Sequence, residues 1–179
     1  MKQQVLTSLD LVQLTAVGKC MGQHLQTGTI VVLSGDLGTG KTQISSAVAR
    51  GLGIRDAITS PTFAIMKQYL RGRVPFNHLD LYRLETPYEL DDLNFWDLVE
   101  RDHSSVTLIE WGEIFDAVLR VSDLQIKLEV ESESLRKLTA IALSPRGEAL
   151  LASCFGPDDD GASDESAALA SAELTTEEA

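Results

Sequence analysis

Gly35, Gly40, Lys41 and Thr42 occupy every fixed position of G-x-x-x-x-G-K-[ST] within "GDLGTGKT". Glycines permit backbone angles that turn successive N–H groups inward as an anion nest. A helix opening at Lys41 would add its dipole and its unpaired amides. Polyphosphate is the guest that such a nest selects. In that frame the cofactor-binding set is Gly35, Asp36, Gly38, Thr39, Gly40, Lys41, Thr42 and Gln43. Lys41 would reach between the β- and γ-phosphates, and the Thr42 hydroxyl would ligate Mg2+. No N-K-x-D segment is present to read guanine, which favours ATP.

Phosphoryl transfer also needs a carboxylate near the carboxyl end of a neighbouring strand, to hold the metal or to orient the attacking nucleophile. Glu110 ends the apolar run "VTLIE"; Asp80 sits in the more alternating "FNHLDLYR", with Arg83 as a nearby ion-pair partner. Lys41, Asp80 and Glu110 are therefore the candidate catalytic residues, and Thr42 and Glu110 the candidate metal ligands. "TSPT", Thr59 to Thr62, lies where a γ-phosphate sensor could stand, although a plain turn with Ser60 held extended by Pro61 reads equally well. His78 alone reads as a packed or hydrogen-bonded histidine. Trp96 and Trp111 read as core or interface residues.

The elements that must carry these groups follow from periodicity. Ser8 to Leu25 has helical apolar spacing, with Ser8 or Asp10 available as a cap. Thr29 to Ser34 is a short β-branched run of the kind found in buried parallel strands, and Thr42 to Leu52 reads as the helix after the glycine loop. "AIMKQYL" and "VPFNHLDLYRL" flank "RGR" as an antiparallel hairpin, and "TPYELDDLNFWDLVERD" reads as a helix with acids in its first turns. Ser104 to Trp111 returns to a buried strand, "LQIKLEV" and "LRKLTAIAL" alternate as two antiparallel strands, and "RGEALLASCF" closes with a short helix. The order is that of an α/β domain.

The chain has 179 residues, 44% of them hydrophobic, enough for one ordinary core. Its net charge of -12 is concentrated: residues 157–179 hold eight acids and no base, leaving 19 acids against 15 bases elsewhere. A mildly acidic body with no basic stripe argues against autonomous nucleic-acid binding. Residues 1–155 are expected to form the domain and 156–179 a disordered acidic tail, too poor in bulky apolar side chains to offset its ordering entropy. Cys20 and Cys154, far apart in sequence and without C-x-x-C spacing or a nearby histidine cluster, suggest neither zinc nor a redox pair and are expected as reduced, buried thiols. The N-terminus has no apolar leader core, and no apolar run approaches a membrane span, so a cytoplasmic location is expected.

Four ordered blocks, "GDLGTGKT", "SPTF", "HLDLYRL" and "IEWGE", together with a weaker "GEALL", resemble the TsaE (YjeE) family, the ATPase component of bacterial tRNA threonylcarbamoyladenosine biosynthesis. The resemblance implies a single small P-loop domain: a mixed sheet flanked by helices, with antiparallel additions, binding ATP and Mg2+ with weak hydrolysis. It further implies that Thr42 and Glu110 are metal-site residues, that Asp80 is a catalytically important carboxylate, that Ser60, Pro61 and Thr62 form a switch-like loop, and that Arg136 approaches the nucleotide. The implied partners are TsaB and TsaD, with tRNA met only through them. Two other readings use the same loop. A small-molecule kinase would need cationic lid residues, for which Arg71 and Arg73 are the nearest candidates. A binding module without turnover would use ATP only to set its shape.

Overall fold

The computed structural model describes residues 2–101 and 103–156. Asp102, at the end of the expected acidic helix, and all of the expected disordered tail (156–179) except Gly156 lie outside the described residues.

Seven strands form one mixed sheet: β1 (Gln3–Leu9), β2 (Ile30–Ser34), β3 (Met66–Tyr69), β4 (Phe76–Asp80), β5 (Val106–Glu110), β6 (Leu124–Val130) and β7 (Arg136–Ala142). Their spatial order is β1-β7-β6-β2-β5-β4-β3. β2 pairs in parallel with β5 and β6, and β4 in parallel with β5. β7, β1 and β3 add antiparallel edges. Sequence register thus delivers the carboxyl ends of β2, β5 and β4 to one rim, with Leu33 opposite Glu110 and Glu110 opposite Asp80.

All five residues of β2 are buried, as a central strand covered on both faces requires. Val31 and Leu33 face a core shared with α1 (Leu11–His24), α2 (Lys41–Gly51) and α5 (Pro145–Phe155). Ile30 and Val32 face a second core containing Leu79, Phe95, Ile109 and Phe115. Each fully buried aliphatic or aromatic side chain contributes about 1.5–3 kcal/mol, which fixes β2 and hence the start of the loop that follows it. α1 is closed by a capping box in which Asp10 accepts from the Gln13 amide at 2.8 Å and the Gln13 side chain accepts from the Asp10 amide at 3.0 Å. It lies directly on α2: a Cβ on Gly22 would stand 2.1 Å from the Val48 carbonyl oxygen.

Three expectations need correction. The segment before α1 is the edge strand β1, whose polar, largely exposed "QQVLTSL" gives little apolar alternation. Ser8 does not lie in the helix; it adopts φ +54° where the β1–β7 register shifts. The expected long helix over 86–102 breaks into α3 (Glu89–Asp92) and a π-helical turn (Asp97–Arg101), with Asn94 at φ +51° between them. Leu90 and Phe95 both enter the second core, but five positions apart they would occupy different faces of a continuous helix. A 3-10 turn (Gly112–Ile114) and α4 (Asp116–Val121) were not evident from the pattern. The two cysteines are partly rather than fully buried, and the fold brings their Sγ atoms to 2.9 Å. Among the described residues, no helix is long and apolar enough to cross a membrane.

Candidate nucleotide-binding site

The glycine loop joins β2 to α2. Gly35 adopts φ +130°, and a Cβ there would meet the Leu128 carbonyl oxygen at 2.3 Å, so only glycine fits. Gly40, at φ +108°, is the N-cap of α2 and leaves the helix's first amides facing the loop. The buried Thr39 folds the loop inward, its hydroxyl donating to the Asp36 carbonyl at 2.8 Å. Arg136 braces the loop from β7: its Nε donates to the Thr39 carbonyl at 3.0 Å and its Nη1 to the Leu135 carbonyl at 3.0 Å. Asp36, Gly38 and Gln43 are exposed on the same loop and first helical turn.

Lys41 is buried beneath this loop. Its Nζ donates to the Gly35 carbonyl at 2.6 Å and the Asp36 carbonyl at 2.9 Å, and lies 3.8 Å from the centre of the Trp111 ring. Burial holds the ammonium below the usual lysine range, against the opposing pull of Glu110, Glu113, Asp80 and Asp36. A lysine so placed is poised to exchange carbonyl partners for a stronger anion.

Glu110 is held in the rim by three side chains. Its Oε2 accepts from the Thr42 hydroxyl at 3.0 Å, and its Oε1 accepts from the Ser45 hydroxyl at 2.7 Å and from His78 Nε2 at 2.8 Å. Thr42 and Ser45 meet it together because positions three apart share a helix face. His78 joins them because it stands two residues before Asp80 on β4 and opposite Leu108 on β5.

Asp80 gathers the "TSPT" segment. Its Oδ2 accepts from both the Ser60 and Thr62 hydroxyls, and its Oδ1 accepts from the Tyr82 amide at 3.1 Å. Arg83, the ion-pair partner suggested by sequence, lies over the Phe63 ring instead, with its guanidinium carbon 4.2 Å from the centroid.

All three candidate catalytic residues therefore converge on one rim, with Ser60 and Thr62 attached through Asp80. Sequence reasoning missed Ser45 and Glu113, read Trp111 as a core or interface residue, and read His78 as packed or hydrogen-bonded without naming Glu110 as its partner. Glu113 Oε1 accepts from the Gly35 amide at 3.2 Å, while its Oε2 is buried with no hydrogen-bond partner. Burial pushes this carboxyl above the usual range, opposed by its backbone hydrogen bonds and by Lys41. The spacing of Lys41, Thr42 and Ser45 on one helix, and of His78 and Asp80 on one strand, was the available signal. For Glu113 the signal was its place at the end of the "IEWGE" block alone, because the left-handed turn at Trp111, φ +62°, redirects the chain after β5.

Comparison with known proteins agrees with this architecture. A family model described as "Threonylcarbamoyl adenosine biosynthesis protein TsaE" matches residues 9–138. The chain is 35% identical over 151 residues to the tRNA threonylcarbamoyladenosine biosynthesis protein TsaE of Bacillus subtilis, covering 84% of this chain and 92% of that one. It is 37% identical over 122 residues to the protein of the same name from Treponema pallidum, covering 68% and 88%. The crystal structure of Bacillus subtilis YdiB superposes with a TM-score of 0.68 at 28% identity, over 83% of this chain and 91% of that one.

Proposed function

Because the chain belongs to the TsaE family, of threonylcarbamoyladenosine biosynthesis, we propose that it binds ATP with Mg2+ on the glycine loop and hydrolyses the nucleotide slowly. The output goes to a TsaB–TsaD assembly that performs the threonylcarbamoyl transfer to tRNA. The observation that carries this reading is the Glu110 carboxylate clamped by Thr42, Ser45 and His78 beside Lys41. A strand-end acid bonded to the loop threonine is the pairing a phosphate-bound magnesium site requires.

The residues present fit both groups. The Gly35 amide already binds a carboxylate oxygen, that of Glu113, so the loop is competent for an anion, and Lys41 supplies the adjacent positive charge. Thr42 and Glu110 would hold Mg2+, which when bound neutralises charge on the terminal phosphate oxygens. Lys41 turns from the Gly35 and Asp36 carbonyls toward phosphate oxygen. The Glu113 carboxylate, partly desolvated and like-charged to the incoming phosphate, gives up the Gly35 amide. Asp80 orients the attacking water and accepts its proton, and its bonds to Ser60 and Thr62 make the 59–62 segment responsive to what occupies that position. Glu110 is bonded directly to the Thr42 hydroxyl of the glycine loop, whereas Asp80 is not, which suits Glu110 to the metal-site role.

The kinase alternative loses one of its two lid candidates: Arg73 donates to the carbonyls of Gly22 and Leu25 and is a structural tie between the hairpin and the end of α1. The test is phosphate release by the full chain with ATP and Mg2+, alone and with TsaB and TsaD. A slow basal rate that rises on their addition is expected. Stoichiometric phosphate transfer to a metabolite would overturn the reading, and no stimulation would leave a passive binding module.

A further inference from the structure

Outside the glycine loop and the acidic rim, α1 and α5 bring together two thiols and an imidazole. Cys20 and His24 stand four residues apart on α1, hence on one face. Cys154 reaches them from the last turn of α5. The Cys20 and Cys154 sulfurs are 2.9 Å apart, and His24 Nδ1 lies 3.6 Å from the first and 3.8 Å from the second. These ligand atoms all lie within 4.8 Å of one another.

We propose that Cys20, His24 and Cys154 form a binding site for a soft d10 metal ion, with Zn2+ as the divalent case. The donor set is the one such ions select, two sulfurs and one imidazole nitrogen. A tetrahedral ion with bonds of about 2.3 Å to sulfur and 2.0–2.1 Å to nitrogen holds S and N about 3.6 Å apart and two sulfurs about 3.8 Å apart. The sulfur–nitrogen separations already match. The sulfurs need to open by about 0.9 Å, within reach of small side-chain rotations because both thiols are only partly buried. They are free thiols, well beyond the ~2.05 Å of a disulfide bond.

Access comes from a cleft of about 150 Å³ lined in part by His24, Leu25, Arg146 and Ser153. Binding balances as two thiol protons released per divalent ion, with sulfur and imidazole lone pairs forming three metal bonds and water taking the fourth position. His24 Nδ1, which now donates to the Cys20 carbonyl at 3.0 Å, exchanges that bond for the metal, the ring proton moving to Nε2 so that the imidazole stays neutral and only the two thiol protons are released. The ion would tie α5 to α1, the helix that packs on α2 through Gly22.

Titration of the reduced full chain with Co2+, in a phosphine reductant, tests the site independently of ATP turnover. Oxygen ligands at Thr42 and Glu110 give no thiolate-to-cobalt charge-transfer band. Expected is such a band saturating at one ion per chain, displaced by Zn2+, with two protons released per ion. Cys20→Ser and Cys154→Ser each abolish it, and His24→Ala weakens cobalt affinity at least about tenfold. Zn2+ raises the thermal midpoint of the parent chain but not of the double serine variant, whose circular dichroism and ATP affinity match the parent's. A missing band in excess cobalt, or a band that survives in the double variant, would overturn the site. So would a Cys20–Cys154 disulfide forming in air while the reduced chain takes up no metal.

Discussion

His78 donates from Nε2 to Glu110 Oε1 across 2.8 Å, with the two side chains only 0% and 3% exposed. His78 Nδ1 has no hydrogen-bond partner, so its polar link to the site runs through Glu110 alone: it fixes one oxygen of the acid that Thr42 engages through the other. His78→Ala should lower kcat about ten- to hundredfold while changing ATP affinity only a few-fold, the pattern of a group that orients a metal-site carboxylate. It should also cost about 2–3 kcal/mol of stability from the cavity and the lost partner. His78→Gln, which keeps a donor, should recover part of the rate. Equal loss in both variants, read by single-turnover kinetics and equilibrium binding, would reduce His78 to a packing residue.

Asp80→Asn should separate chemistry from binding. The Ser60 and Thr62 hydroxyls both donate to Asp80 Oδ2, and the Thr62 amide donates back to Ser60 Oγ at 3.2 Å. Replacing the carboxylate removes the proposed proton acceptor and loosens that segment. Turnover should fall about a hundredfold or more, with ATP affinity nearly retained and faster amide exchange at Thr62. Unchanged exchange would mean that Asp80 does not hold the segment in solution.

What could be read from sequence was whatever depended on local pattern. The glycine loop between β2 and α2, the hairpin of β3 and β4, and the β6–β7 pair each carry their own periodicity or turn residues. The convergence of Lys41, Thr42, Asp80 and Glu110 was also legible, because parallel register brings strand ends to one rim. Features set by long-range contact were not. β1 is polar and gains its identity by pairing with β7. The break near Asn94 serves a core that Leu90 and Phe95 reach from different turns. Glu113 meets Gly35 across 78 positions, and Cys20 meets Cys154 across 134.

Lys41→Met tests the burial of the loop lysine in two ways. Loss of the ammonium should weaken ATP binding about a hundredfold or more. The pH dependence is diagnostic because burial lowers the folded-state value below 10.5. Between that value and 10.5 the unfolded chain binds more protons, so the parent gains stability as pH rises through the window, and the desolvation cost is fully present below it. The methionine variant should lack this slope and be the more stable protein at neutral pH. Denaturant midpoints across neutral to alkaline pH provide the measurement, and parallel curves would refute the assignment.

Glu113→Gln should stabilise the chain and strengthen nucleotide binding together. Burial raises this carboxyl above its ordinary 4.5, and one of its oxygens has no partner. At pH values below 4.5 the group is protonated in both folded and unfolded chains, so the cost is absent. It builds as pH rises above 4.5 and is complete once pH exceeds the folded-state value. The glutamine variant should gain up to about 1 kcal/mol at pH ~8 and almost nothing near pH ~4, an amount already reduced for the side chain's partial exposure. Removing a charge that competes for the Gly35 amide should also tighten ATP binding a few-fold, and weaker binding would show that Glu113 supports the loop.

Gly22→Ala probes how α1 positions the phosphate loop. The added Cβ would stand 2.1 Å from the Val48 carbonyl oxygen and 2.9 Å from its carbon, both backbone atoms of α2, so the helices must separate. Overpacking of this kind costs about 1–3 kcal/mol. Because α2 begins at Lys41 and carries Thr42 and Ser45 to Glu110, the displacement should also reach the site, more than ten residues from any loop glycine in sequence. The expected outcome is a lower unfolding midpoint together with weaker ATP binding. Gly18→Ala, where the nearest atom is the Ala47 Cβ at 2.7 Å, should cost stability through the same interface. Lost stability with unchanged ATP affinity in both variants would show that α2 keeps its place without close contact from α1.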